Sequence, residues 1–425
     1  MILDNSRLYN NKLKDILPGG VHYNFLGGPY RQTVHFKSAC GSRLTDIDNN
    51  EYLDFNLQFG SAFLGHGNKD FNSALTERLN SGYAFVQSDL DYEVCNTLTN
   101  YIPCCENVRF SMSGTEAVQN AIRLSRAYTG KSKIIKFKGH YHGSAENTVL
   151  NISNLKLRPN IDVSKTVILD WNDIEALEKY MSENTDVACV IMEPFCLNGG
   201  GIAPKKGYLK KVRHLCDKYK VLLIFDEIIT CVKTGLGGMQ KLTGVVPDLC
   251  ILGKSLGNAV PISAVCGRKD IMSLYTKNQV IHGGTFNGYP LGLSAVSSVF
   301  EILQNDTYYE KLSIISKEIE DNVDSIAKAM SFPLTVNSIN NCLVLNCSDK
   351  SIQSYDEFDE ILNEKNNILN QCLFDTNILL ESKNRMYMNI SLTEDDAEIF
   401  LSRLKLSIKK AVPLIDYINK VTSRH

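Results

Sequence analysis

The chain is short of the features that would send it to a membrane, a nucleic acid or a metal. Its first fifteen residues, MILDNSRLYNNKLKD, hold no apolar core of the signal-peptide kind, and no apolar run approaches the length of a membrane span. A formal charge of −2 over 425 residues offers no electrostatic case for nucleic acid or an anionic membrane. No CxxC pair has zinc spacing, although there are thirteen cysteines. They are scattered, and Cys189, Cys250 and Cys266 sit in apolar runs where a thiol acts as a small hydrophobe. An odd count without a secretory signal reads as a cytoplasmic location. No G-x-G-x-x-G opens a helix after a strand, so a dinucleotide site has no support. Internal repeats and low-complexity tracts are absent, and the Asn-rich tract 363–371 is too short to matter. What remains is an ordinary globular composition, 44% hydrophobic and 22% charged, on a chain too long for one small core.

Against that background two stretches stand out. Val221–Phe225 is a run of five apolar residues ending on Asp226 and Glu227. Such a run reads as a strand buried on both faces, as in parallel sheets. Leu249–Leu252 is a second short run, followed by Gly253 and Lys254. Ligands of open α/β sheets bind at the carboxyl ends of strands. An acid and an amine converging there suit a cofactor that is cationic at one end and an aldehyde at the other, which describes pyridoxal phosphate. On these stretches alone a structural ion pair between Asp226 and Lys254 explains the residues equally well.

A third stretch is Ser113-Gly114-Thr115-Glu116. It follows the strand-like 108–110 and precedes a helix face of Ala117, Val118, Ala121, Ile122, Leu124 and Ser125. Ser or Thr at the cap with Glu in the first turn marks a helix start. The free amides, small hydroxyls and helix dipole there make a phosphate site, with a plain capping motif as the alternative. Glu116 is expected to point away from any phosphate.

Around these, strands are expected at 34–36, 43–46 and 52–55, with a hairpin turn at Asp48-Asn49-Asn50. A helix is expected over 69–79. Strands at 133–137, 166–169 and 188–192 alternate with helices at 173–181 and 208–219. This order implies a parallel sheet covered on both faces. Beyond residue 300 helices are expected over 299–303, 309–330 and 394–410, and strands at 342–346 and 386–390. The predicted architecture is therefore α/β: an N-terminal segment 1–60 belonging to a small domain, a large mostly parallel-sheet domain 61–300, and a smaller α+β domain 301–425.

Taken together, these motifs resemble the class III aminotransferases of the fold type I pyridoxal phosphate enzymes, and most of all the glutamate-1-semialdehyde 2,1-aminomutase branch. The similar text is Leu17-Pro-Gly-Gly-Val21, Gly41–Asp48 with Tyr52-Leu-Asp-Phe55, Leu64-Gly-His66, Ser113–Ala117, Arg123-Leu124 and Lys136–Gly143. It continues with Glu193-Pro194 and Asn198, Phe225-Asp-Glu227, Pro247-Asp-Leu249, Gly253-Lys254, and Gly283–Phe286 with Pro290. The resemblance implies pyridoxal 5'-phosphate as cofactor, Lys254 as the Schiff-base lysine and proton shuttle, and Asp226 at the pyridine nitrogen. It further implies Tyr141 stacked on the ring, Ile228 on the opposite face, Asn198 near the ring hydroxyl, and Ser113, Gly114 and Thr115 on the phosphate. Gly284 and Thr285 would reach the phosphate of the neighbouring subunit of a homodimer. For Glu193, loop support and catalysis stand side by side, and His66, His140 and His142 read as residues that support the site's own residues or are structural.

The chain departs from the family at three places. Where the family usually reads Thr-Gly-Phe-Arg, it has Thr230-Cys231-Val232-Lys233. The glycine triplet after the lysine is Gly257-Asn258-Ala259. In place of Asn-Ser-Pro-Val-Arg after the Pro-Gly-Gly-Val, it has His22-Tyr23-Asn24-Phe25, which removes an arginine expected to hold a substrate carboxylate; Arg31 and Arg385 are the substitutes. The expectation is an aminotransferase with an amino donor and a carbonyl acceptor. Intramolecular amino transfer of the aminomutase kind, and a non-catalytic protein on the same fold, are the alternatives.

Overall fold

The computed structural model describes residues 1–23, 33–149 and 164–422, with side chains described up to residue 420. The chain divides into two compact units, Lys69–Asp306 and a discontinuous one made of Met1–Asn68 with Thr307–His425.

The continuous unit is built on a seven-stranded sheet. In chain order its strands are β1 (Asn107–Ser111), β2 (Lys133–Phe137), β3 (Thr166–Leu169), β4 (Val187–Met192), β5 (Leu222–Asp226), β6 (Leu249–Leu252) and β7 (Ser263–Gly267). Their spatial order is β1-β7-β6-β5-β4-β2-β3. Only β7 runs against the others, pairing antiparallel with both β6 and β1. β4, β5 and β6 are buried at every residue, which is why each reads as an unbroken apolar run. A sixteen-residue helix, α1 (Gly114–Thr129), lays Ala117, Val118, Ala121, Ile122 and Leu124 on one face of this sheet, against Cys189, Ile191, Ile224, Ile251 and Val265. The residues recur at helical spacing because they share one side of a 3.6-residue turn.

In the discontinuous unit, strands Phe36–Cys40, Arg43–Asp46 and Glu51–Asp54 form an antiparallel meander, and Ile378–Leu379 adds to Glu51–Asp54 in parallel. The expected turn at 48–50 is present, with Asn49 at φ 69° and the Asp46 carboxylate accepting from the amides of Asp48 and Asn50. Thr335–Ile339, Cys342–Asn346 and Arg385–Tyr387 make a second antiparallel sheet. Helices Thr307–Ala329, Glu360–Phe374 and Glu394–Thr422 complete the unit.

Several boundaries differ from the sequence reading. The strand expected at 34–36 starts at Phe36 and runs to Cys40; all five of its residues are exposed, so no hydrophobic pattern marks it. The strand expected at 386–390 is Arg385–Tyr387, and the last helix extends to Thr422 through Pro413. Helices Asp91–Tyr101 and Glu360–Phe374 and strand β7 carried no expectation. Among the described residues no helix is long and apolar enough to cross a membrane. None of the thirteen cysteines is paired, and eleven of them are buried.

Candidate active site

The carboxyl ends of β5 and β6 lie side by side. The two strands are parallel neighbours in register Asp226↔Ile251, and the Glu227 amide donates to Ile251 O at 2.9 Å. Asp226 ends β5, and Lys254 opens the short turn that follows β6. Lys254 is half-buried and has φ 49°, a left-handed conformation that costs a lysine about 1 kcal/mol and that is held by the surrounding structure.

Asp226 is 5% exposed and its carboxylate is committed on both oxygens. His142 Nδ1 stands 2.7 Å from Oδ2, and the Ile228 amide donates to Oδ1 at 3.1 Å. A buried carboxylate is tolerable only with such donors. His142 is itself fully buried. It comes from the loop after β2 that also carries His140 and Tyr141.

Tyr141 is half-buried in that loop. Its amide donates to Glu193 Oε1 at 2.7 Å. Glu193, just past β4, also accepts from the Asn198 amide at 3.2 Å and from Asn198 Nδ2 at 2.9 Å, while its own amide donates to His140 Nδ1 at 2.9 Å. One carboxylate thus ties the Tyr141 loop to the Asn198 loop. Burial pushes the Glu193 carboxyl above the usual carboxylate range, with nearby His142, the Tyr141 amide and the Asn198 side chain opposing it.

At the start of α1, Ser113 is the cap and Glu116 folds back on it. Ser113 Oγ accepts from the Glu116 amide at 3.3 Å, and Glu116 Oε2 accepts from the amides of Met112 and Ser113, each at 2.9 Å. Glu116 is exposed and spent on its own cap, which leaves the amides of Gly114 and Thr115, the first two helical residues, outside the ladder of α1. Gly114 lets Ile228 come close: a Cβ there would lie 2.5 Å from Ile228 Cδ1 and would turn that side chain aside. Ile228 in turn lies 3.5 Å from where a Cβ of Gly253 would be, so its side chain packs between the helix start and the residue before Lys254. At Gly143 a Cβ would fall 2.5 Å from Thr115 Oγ1, and that hydroxyl accepts from the Ser144 amide at 3.3 Å.

Ser113, Gly114, Thr115, Tyr141, Asn198, Asp226, Ile228 and Lys254 therefore belong to one set of connected strand ends and loops. Gly284 and Thr285 are not joined to it by any of these contacts; they are exposed in the loop between Val280 and Tyr289. Arg31 lies outside the described residues. Arg385, in the discontinuous unit, is buried and donates to the Glu381 carboxylate. His66 Nε2 donates to Asp54 Oδ2 at 2.8 Å in that same unit.

Three contributors escape a reading by pattern. His142, read from the sequence only as a supporting or structural residue, is a support: it touches Asp226 directly. Lys233, which stands where the family has arginine, is fully buried and donates to Ile229 O at 2.9 Å and to Ser255 Oγ at 3.0 Å, bracing the residue next to Lys254. Ser263 on the inverted strand β7 donates to Ser113 O at 2.7 Å and pins the helix start from below. The Tyr-His-Gly text beside Tyr141 and the ionic residue in the 230–233 turn were the available signals.

The sequence model for "Aminotransferase class-III" matches residues 28–372. The chain belongs to the aminotransferase class-III family. Pyridoxal phosphate is the cofactor of this family of enzymes. Among curated relatives, the glutamate-1-semialdehyde 2,1-aminomutase of Thermosipho africanus is 33% identical over 91% of this chain and 95% of its own length. That of Thermosipho melanesiensis is 36% identical over 81% and 85%. An omega-transaminase from Sphaerobacter thermophilus superposes with a TM-score of 0.91 at 24% identity, covering 96% of this chain and 98% of its own. A glutamate-1-semialdehyde-aminomutase from Pseudomonas aeruginosa PAO1, solved with PMP, gives 0.88 at 22%, covering 95% and 94%. At these identities the superpositions establish the fold, a large mostly parallel sheet with smaller antiparallel ones, as in fold type I transaminases.

Proposed function

We propose that this class III enzyme is an aminotransferase that moves an amino group between an amino acid or amine and a keto acid or aldehyde. The observation that carries this reading is that Lys254 and the buried Asp226 sit at the carboxyl ends of two adjacent parallel strands, β6 and β5. The donor set fits pyridoxal phosphate: a primary amine for its aldehyde, a carboxylate for its ring nitrogen, two amides and two hydroxyls at a helix start for its phosphate. Bound there, the cofactor supplies an electron-withdrawing ring that spreads the negative charge developing on the substrate carbon.

The chain's own residues do the rest. Asp226, fixed by His142 and the Ile228 amide, would face the ring nitrogen and favour its protonated form. Tyr141 and Ile228 would bound the two ring faces and keep water off them. Ser113, Gly114 and Thr115 hold the phosphate with the amides and dipole of α1. Asn198, oriented by Glu193, would meet the ring hydroxyl. Lys254 Nζ would hold the cofactor's aldehyde and, as a neutral amine, would take the proton from the substrate carbon and give it back. Gly284 and Thr285 complete the phosphate site of a second subunit, making the working unit a homodimer.

A second reading, transfer of the amino group within one molecule, is favoured by the curated relatives, which are named as aminomutases at 33–36% identity. The altered text at 22–25 favours the first. Whether turnover needs a separate carbonyl acceptor separates the two. For the assignment common to both, Lys254→Ala is expected to lose both the borohydride-trapped cofactor adduct and turnover; a variant that keeps both overturns it.

A further inference from the structure

His140 and His142 flank Tyr141, and both rings are fully buried. Each uses its Nδ1, and the two partners fix opposite proton positions. The Glu193 amide donates to His140 Nδ1 at 2.9 Å, so that nitrogen carries a lone pair. In a neutral imidazole the proton then sits on Nε2, making it a donor. Burial, with His142 and Lys136 nearby, holds His140 protonation well below the ordinary histidine range, which keeps the ring neutral. His142 Nδ1 faces Asp226 Oδ2 at 2.7 Å, and an ionised carboxylate only accepts, so this Nδ1 carries the proton. The Nε2 of a neutral His142 is then an acceptor.

Among the described residues neither Nε2 has a hydrogen-bond partner, and both atoms are buried. The ring centroids are 6.0 Å apart. His140 is otherwise walled by aromatic rings, Phe137 at 5.6 Å and Trp171 at 4.7 Å between centroids, and these offer its Nε2 no acceptor. A buried donor and a buried acceptor left unsatisfied would cost about 1–3 kcal/mol each. With rings this close, one oxygen can lie within hydrogen-bond reach, about 2.8 Å, of a nitrogen on each ring.

We propose that one buried water joins the two histidines, accepting from His140 Nε2–H and donating to His142 Nε2. The result is a one-way chain of donors: Glu193 N–H to His140, His140 to water, water to His142, and His142 Nδ1–H to Asp226. His140 is thereby a positioning residue that, through the water, reinforces the His142 tautomer selected by Asp226 and holds its Nδ1–H on that carboxylate. The chain itself stands without any assignment of the cofactor site; its catalytic consequence rests on the role proposed above for Asp226.

The test is neutron diffraction from crystals of the holoenzyme exchanged into D2O, with kinetics of two variants. The expected map shows deuterium on His140 Nε2 and on His142 Nδ1, none on His142 Nε2, and a D2O between the rings. Deuterium on His142 Nε2, or no solvent between the rings, overturns the proposal. With native melting behaviour, His140→Phe is expected to lower kcat about tenfold with KM little changed. His140→Gln, whose amide stands near the place of Nε2–H, is expected to restore most of that loss. Equal losses in both variants, or none in His140→Phe, overturn the positioning role. Asp226→Asn separates the two layers: if it retains wild-type kcat while the neutron map shows the chain, the role proposed for Asp226 fails and the chain stands.

Discussion

Lys136 sits in the middle of the Tyr141 neighbourhood with no exposed surface, its ammonium donating to Thr148 O at 2.8 Å. Burial pulls its pKa down to about 8, with Glu193 opposing. The folded protein thus releases this proton before the unfolded chain does. Below about pH 8 both states are charged and the cost of burying the ammonium is present in full. As pH rises toward the unfolded value of 10.5 the folded lysine is neutral while the unfolded one still binds its proton, so stability from this group increases. Urea melts of wild type and Lys136→Met at pH 8 and pH 10.5 are expected to differ by a margin that moves in favour of wild type, on the order of 3 kcal/mol at most. A margin that stays flat, or moves the other way, rules this out. At this scale Lys254 and Asp226 were legible because each is a charge closing an apolar run. His142 and Lys233 were not, since the partners that explain them, Asp226 and Ser255, lie far along the chain and become neighbours only through strand order.

Helix α1 and the loop after β2 meet at Thr115 and Gly143. Gly143 has φ 80°, and a Cβ would lie 3.0 Å from Thr115 Cα as well as against its hydroxyl. Gly143→Ala therefore meets both backbone strain and a backbone neighbour that cannot turn aside. It is expected to cost about 1–3 kcal/mol of stability and to weaken cofactor binding by pushing on Thr115; a melting curve and a cofactor titration check both, and an unchanged affinity would detach Thr115 from the phosphate. The parallel strands and α1 were readable from periodicity, as burial on two faces or on one leaves a plain pattern. Helix Glu360–Phe374 was not. Its Asn366 and Asn370 are buried and spend their amides on Cys347 N and Glu381 O, so polar residues do the work that a hydrophobic stripe usually advertises. Asp91–Tyr101 buries only Val94 and Leu98, too few to register.

On the scale of the molecule, the loop bearing Gly284 and Thr285 is flanked by Ile281, 77% exposed, and Phe286, 59% exposed. Large apolar side chains on either side of two glycines suit a subunit interface. Phe286→Asp is expected to raise the dimer dissociation constant about 30-fold or more and to weaken cofactor retention with it; sedimentation at micromolar concentration that finds the wild type monomeric would remove the premise. The family was legible from ordered motifs, whereas the substrate was not, because the residues that would grip it fall where this chain leaves the family text.

The strand Glu51–Asp54 has one more consequence. Its parallel neighbour, Ile378–Leu379, is made more than three hundred residues later, after the whole of Lys69–Asp306. At roughly 5–20 residues per second, a ribosome leaves that edge, with Tyr52 and Leu53 on it, unpaired for a time on the order of half a minute. The intervening unit has all of its own strands by then and can close around its sheet first. Nascent chains stalled near residue 320 should accordingly carry a protease-resistant middle and a sensitive head, and it is the head that a chaperone would have to guard.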